Sequence, residues 1–148
     1  MQTFLPYANF DKSAQCLDYR RLGKQRVECK QILNALCGNS GWKNHPAVKM
    51  WNGYENALKA YMNACIKEWV RRGYNNNMNL HNLDVHGTTI DMPPWIGDNR
   101  FHASHRSNLL RKDSAHYGQF GWTESSDLPY FWPTKEGYGS SSNGRTFV

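Results

Sequence analysis

Trp51, Leu58, Tyr61, Cys65 and Trp69 recur at intervals of 7, 3, 4 and 4 residues. That is the period of an α-helix burying one broad, largely aromatic face. The pattern predicts a helix from about Pro46 to Arg72, closed by Arg71, Arg72 and Gly73, with cations at the negative end of the helix dipole. Two other stretches read as helices. One runs from about Ser13, a candidate N-cap, to Gly38, a candidate residue just past the last turn. Its apolar stripe is Leu22, Cys29, Leu33 and Leu36, and Gly23 interrupts the pattern. The other runs from about Asp98 to Lys112 and is basic and histidine-rich.

The remaining sequence is irregular. Residues 38–46 are rich in turn formers, and residues 74–99 hold NNNMN, HGTT and Pro93-Pro94 without sustained periodicity. At 148 residues, with 39% hydrophobic, 14% aromatic and 20% charged side chains, the chain reads as one folded domain. The predicted fold is mainly α, a compact single domain of three principal helices joined by long aromatic-rich loops. Residues 1–133 form the domain, and the Gly/Ser-rich stretch 134–148 reads as a disordered tail.

No apolar run approaches the roughly 20 residues that span a bilayer, and the start MQTFLPYANFDK lacks the features of a secretory signal. A cytoplasmic protein is expected. Cys16, Cys29, Cys37 and Cys65 show no metal-finger spacing and read as reduced, structural thiols. Walker-type, GxGxxG and GxSxG motifs are missing from the sequence, which excludes the commonest nucleotide-cofactor and serine-hydrolase readings.

Eighteen Lys+Arg against twelve Asp+Glu give a net charge of +6 and a pI near 9.2, a balance that favours an acidic partner. The cations cluster. Arg20, Arg21, Lys24, Arg26 and Lys30 share the first predicted helix, and Arg100, Arg106, Arg111 and Lys112 share the third. Two such helices converging on one backbone suit phosphate contacts. Trp42, Trp95, Tyr117, Trp122 and Trp132 lie in or beside loops; each is a candidate platform for an unpaired base, or a packing residue. His102 and His105 share one helical face, where phosphate or base contact with Arg106 is favoured over zinc, since nothing nearby completes a ligand set. His45, in the Asn44-His45-Pro46 turn, reads as a helix cap or a substrate-facing group.

On a helical wheel Arg21, Gln25 and Glu28 fall within about 60° along one margin of the apolar stripe. A glutamate there is partly desolvated with cations in reach, a setting for acid–base work, although an ordinary Lys24–Glu28 surface pair fits the same spacing.

These residues carry a resemblance. LDYRRLGKQRVE (17–28), GWKNHPAVKMW (41–51), KEWVRRGYN (67–75) and HASHRSNLLRK (102–112), followed by HYGQF and PYFWP, resemble in order the segments of the pyrimidine-dimer DNA glycosylases. The wording is nearest an uncharacterised bacterial branch of that family. The resemblance implies a compact helical enzyme on double-stranded DNA, with β-lyase activity and no cofactor, working as a monomer near the nucleoid. It implies that the chain's amino-terminal amine is the nucleophile, forming an imine with C1′ of the deoxyribose. The family's essential glutamate corresponds to Glu28, ten residues after Asp18, and Arg21 to a substrate-contacting position. An α-amine, with a pKa near 7.7–8.0, is about 10–20% unprotonated at pH 7 without special activation.

Gln2 stands where a characterised relative exposes a small residue after loss of its first methionine, and its bulk disfavours that removal, so the amine is expected on Met1, with Gln2 as the alternative. Val27 replaces an arginine beside the glutamate. The expected DNA contacts are Arg20, Arg21, Lys24, Gln25, Arg26, Asn44, His45, Arg72, His102, His105, Arg106, Arg111 and Lys112. Two other function classes fit the same residues: a DNA-binding module without chemistry, and an enzyme acting on a free modified nucleoside.

Overall fold

A computed structural model of the chain describes residues 1–38, 44–83 and 90–133. Within them the regular structure is helical throughout: α1 (Phe10–Cys16), α2 (Tyr19–Leu36), α3 (Pro46–Lys49), α4 (Glu55–Arg71), α5 (Asn99–Lys112) and α6 (Ser114–Tyr117), the last running into a 3-10 turn at Gly118–Phe120. The fold is mainly α, as the periodicity predicts. The tail 134–148 and Trp42 lie outside the described residues.

The first predicted helix is two helices, because one local and one distant side chain satisfy the ends on either side of a break. Leu17 and Asp18 are extended, and the Asp18 side chain accepts from the Arg21 N–H as the N-cap of α2. On the other side, the Arg72 guanidinium donates to the carbonyls of Gln15 (2.9 Å) and Leu17 (2.8 Å) at the end of α1. The N-cap of α1 is Asn9, not Ser13. Ser13 is buried, and its hydroxyl donates to the Tyr7 carbonyl at 2.9 Å. The far end is as expected: α2 stops at Leu36, with Gly38 at a φ of 84° just beyond.

The helix predicted from Pro46 is also interrupted. A turn over residues 50–54 separates α3 from α4, and Gly53, at a φ of 88°, takes the left-handed backbone this turn demands. The predicted face survives the break, since Trp51, Leu58, Tyr61, Cys65 and Trp69 are all buried. The third prediction holds: α5 begins at Asn99 with Asp98 as its cap.

α1 and α2 both pack on α4. Leu17, Leu22, Cys29, Ile32, Leu58 and Tyr61 lie in one core that continues through Trp95, Phe101 and Tyr117. Trp95 and Tyr117 are therefore packing residues and not platforms for a base. Trp122 is half-buried, stacked on Tyr117 and Phe120, with its indole N–H donating to the Tyr7 hydroxyl. The four cysteines are unpaired. Burial pushes the Cys16 and Cys65 thiols up to about 12, which keeps them protonated and inert.

α5 has an unusual inner face. His102, Ser104, His105, Ser107 and Asn108 are buried on it. They serve the backbone of two segments that lack a ladder of their own. Ser107 Oγ accepts from the Leu128 N–H at 2.9 Å, and Ser104 Oγ from the Phe131 N–H at 3.1 Å. The two histidines hold the other segment, residues 2–5, against the interior.

Candidate active site

The amino-terminal segment is fixed almost wholly by side chains. The Gln25 amide accepts from the Phe4 N–H (2.8 Å) and donates to the Gln2 carbonyl (2.8 Å). Tyr61 donates its hydroxyl to the Phe4 carbonyl, and the Trp51 indole donates to the Thr3 hydroxyl at 3.0 Å. His105 Nδ1 accepts from the Leu5 N–H (2.9 Å), while His102 Nδ1 donates to the Leu5 carbonyl (2.7 Å). That last assignment follows because His102 Nε2 accepts from the Gly97 N–H at 2.9 Å. Both imidazoles are neutral. Burial lowers His102 and, with His102 and Arg106 nearby, takes His105 down to about 3.

So held, Met1 and Gln2 line a cavity of ≈ 470 Å³ together with Phe4, Arg20, Arg21, Lys24, Glu28, Lys112, Tyr130 and Trp132. The Gln2 N–H donates to Glu28 Oε2 at 3.4 Å. Arg20, Lys24 and Glu28 are four apart along α2, so they stand above one another on a single helical margin. Lys112 enters from the carboxyl end of α5, and Tyr130 and Trp132 close the aromatic side. The cavity thus joins the head of the chain, one carboxylate, cations and half-buried aromatic rings.

The charges at its rim are coupled. Burial lowers His45, the positive amino terminus lowers it further, and Glu28 pulls it back up. His45 Nδ1 also caps α3 by accepting from the Ala47 N–H at 3.0 Å, and its ring meets Trp132 edge-on at 6.0 Å. Burial raises Tyr130, against the pull of Arg111 and Arg21 and with that of Glu28. Arg21 also bridges Asp18 at 3.1 Å. Burial alone would lift the Asp18 carboxyl, but the Tyr117 hydroxyl and Arg21 outweigh it and hold it below the usual range.

The structure thus brings together Met1, Gln2, Glu28, Arg20, Arg21, Lys24 and Lys112 from the sequence-predicted set, with Trp132 as the one aromatic candidate in the wall among the described residues. It directs other members elsewhere. Gln25 is 1% exposed and both ends of its amide are occupied, so it offers nothing to DNA. His102 and His105 are buried on the Leu5 backbone. Arg72 is taken by Glu68 and the end of α1. Arg106 is taken by Glu124, at 2.9 Å, and by the Pro6 carbonyl. Arg26 faces away from the cavity, lying 4.2 Å over the Trp69 ring and donating to Asn76. Arg111 leans on Asn108 and the Ser126 carbonyl, and Asn44 is exposed before the His45 cap.

Phe4 and Tyr130 are cavity residues that sequence reasoning did not single out. The only signals for them were MQTFLP at the start and the aromatic PYFWP near residue 130. Among the described residues no group of three or more His, Cys, Asp or Glu side chains is placed to hold a metal ion, and no helix is long and apolar enough to cross a membrane.

The chain matches no curated protein and no solved structure. A family model does match. It covers residues 1–82, more than half of the chain, and includes the amino-terminal segment, the whole of α2 with Glu28, and α4. Lys112, Tyr130 and Trp132 complete the cavity from beyond the matched stretch. The chain belongs to the pyrimidine dimer DNA glycosylase family.

Proposed function

We propose that this protein excises a damaged pyrimidine, a UV-induced dimer foremost, from double-stranded DNA and then nicks the strand as a lyase. The observation that carries this reading is the seat of the chain's head beside Glu28 in a cavity rimmed by cations. The unprotonated amino-terminal amine attacks C1′ of the deoxyribose. The N–C1′ bond forms as the bond from C1′ to the base breaks, and the base leaves with the electron pair and takes up a proton. The Glu28 carboxylate offsets the positive charge that develops on the sugar. Loss of the amine's proton and opening of the sugar ring give the imine. Removal of a C2′ proton, with Glu28 as the base, then expels the C3′ oxygen with its phosphate.

Arg20, Lys24 and Lys112, which line the cavity, supply the principal phosphate contacts, and Arg21, Arg111, Asn44 and His45 supply further contacts to the DNA. Tyr130 and Trp132 give an extruded nucleotide a surface to stack on. The reaction needs no cofactor, and the protein acts as a monomer in the cytoplasm, near the nucleoid.

Borohydride trapping on UV-irradiated and abasic duplexes tests this, with the adduct peptide read by mass spectrometry. The expected adduct is on the amino-terminal peptide. Glu28→Gln should slow trapping and nicking by a factor on the order of 10²–10³, the size of a lost charge-stabilising group, while duplex affinity changes less than about twofold. Nicking by that variant at the wild-type rate rejects the role of Glu28. Tight binding without any adduct would leave a DNA-binding module in place of an enzyme, and turnover of nucleosides without duplex would move the substrate class.

A further inference from the structure

Gln25 and Glu28 lie three residues apart on α2, on one face, and both reach the same amino-terminal residue. Glu28 accepts from the N–H of Gln2, and Gln25 donates to its carbonyl. The other end of the Gln25 amide takes the Phe4 N–H. One side-chain amide therefore bonds the carbonyl of residue 2 and the N–H of residue 4, the spacing a neighbouring strand uses in a parallel ladder. With Gln25 1% exposed, water cannot substitute for either bond.

We infer that Gln25 is a positioning residue that fixes residue 2 of the amino-terminal segment against α2, so that the reacting amine and Glu28 are presented to the substrate from one turn of one helix. The inference rests on the reading of that amine as the nucleophile. Without Gln25 the segment keeps the Leu5 grip of His102 and His105, the Tyr61 contact to Phe4 and the Trp51 contact to Thr3, but among the described residues the one remaining hydrogen bond from residue 2 to the helix that carries the carboxylate is the 3.4 Å contact to Glu28 itself. The contacts to Leu5, Phe4 and Thr3 hold the register of the segment, so the freedom gained falls on residues 1 and 2, which carry the reacting amine. The position of that amine against Glu28, more than the docking of the segment, is what the amide fixes. A displacement of an ångström at a reacting atom is enough to cost about a hundredfold in rate.

The test uses the full chain and two variants. Gln25→Glu keeps an acceptor for the Phe4 N–H and loses the donor to Gln2. Gln25→Met keeps the length and loses both. Single-turnover borohydride trapping on an abasic duplex is followed across pH, with duplex affinity, urea unfolding and the hydrogen exchange of the Phe4 amide measured beside it. Both variants should trap at least tenfold more slowly, with affinity within twofold of wild type. In Gln25→Glu the pH midpoint of trapping should also rise, because a carboxylate has been added beside the amine. A loss of fold alone lowers the amplitude and leaves that midpoint in place. In the wild type the Phe4 amide should exchange as slowly as the core amides of α2.

Wild-type trapping rates and pH profiles in both variants overturn the inference. So does a Phe4 amide that exchanges like a free peptide, which decides the matter even where neither variant folds. A wild-type protein that traps nothing on abasic DNA rejects the nucleophile itself, a different failure, and the Phe4 exchange then still judges the docking of the segment.

Discussion

His105 shows how much the site owes to groups that never touch a substrate. Its Nδ1 can accept from the Leu5 N–H only while the ring is neutral. Burial, with His102 and Arg106 nearby, takes its pKa from 6.5 down to about 3. Above pH 6.5 the ring is neutral folded or unfolded, and pH has no leverage through it. Below 6.5 the unfolded chain takes up a proton that the folded chain refuses, so stability falls as the pH falls. Between pH 6.5 and 5 the loss is on the order of 2 kcal/mol, at about 1.36 kcal/mol per unit. His102 is lowered as well and adds in the same direction. Asp18, Glu68 and Glu124 are held low by their partners, and their contribution fades only as the pH drops below the usual carboxylate range. The window from 6.5 to 5 therefore belongs to the histidines. Urea midpoints across it should fall in the wild type. In His105→Asn, whose amide oxygen keeps an acceptor near the Nδ1 position, the decline should be shallower, with a lower midpoint at neutral pH from the lost ring volume.

At the scale of elements, α2 and α4 approach closely enough that one glycine decides their separation. Gly23 sits mid-helix, where glycine normally costs up to about 1 kcal/mol relative to alanine. A Cβ there would lie 3.1 Å from Trp69 Cη2 and Cζ3. Trp69 has little room to yield, because its indole donates to the Asn75 carbonyl at 2.6 Å, Tyr19 stacks on it and the Arg26 guanidinium lies over it. Overpacking costs about 1–3 kcal/mol, which exceeds the propensity gain. Gly23→Ala should therefore destabilise the protein by about 1 kcal/mol, read as a lower urea midpoint at an unchanged slope. The sequence pattern marks Gly23 as a possible interruption of the helix, whereas α2 runs straight through it and breaks earlier, at Leu17–Asp18.

The reason is general to this fold. Periodicity reports which faces are buried, and it placed Trp51 on the right face even though that residue lies in a turn outside the helix. It does not report that a distant arginine, Arg72, satisfies the end of α1, or that Asn52-Gly53 supplies a left-handed step in the middle of an apolar rhythm. Glu28 and Arg21 are legible because residues close together on a helical wheel must share a side, and Arg20 and Lys24 are legible only as members of the basic cluster on that helix. Sequence pattern assigns Gln25, His102 and His105 to a DNA-facing surface, whereas α5, and one position of α2, face irregular backbone and not other side chains. A polar inner face is what such backbone requires.

Over the whole molecule, the net charge of +6 conceals a division of labour among the cations. Arg71 and Arg72 pair with Glu68, Arg106 with Glu124, Arg100 with Asp98 and Arg21 with Asp18. Arg20, Lys24 and Lys112 stand outside the ion pairs of the described residues and face the cavity. Charge already matched by a carboxylate attracts few phosphates, and the second group carries the predicted counterion release. Each phosphate contact adds about 0.9 to the slope of log affinity against log salt on duplex DNA. Arg20→Gln and Lys112→Gln should therefore each flatten that slope by about 0.9, with unfolding free energies close to wild type. Arg106→Gln should do the opposite. It strands Glu124 in a place where the two side chains are only 14% and 17% exposed and removes the donor to the Pro6 carbonyl just past the anchored segment. Its cost is about 3 kcal/mol of stability with the salt slope unchanged. Titrations at several salt concentrations beside urea melts separate the two behaviours. A flattened slope in Arg106→Gln, or an unchanged one in both Arg20→Gln and Lys112→Gln, would place the DNA on a different face of the molecule from the cavity.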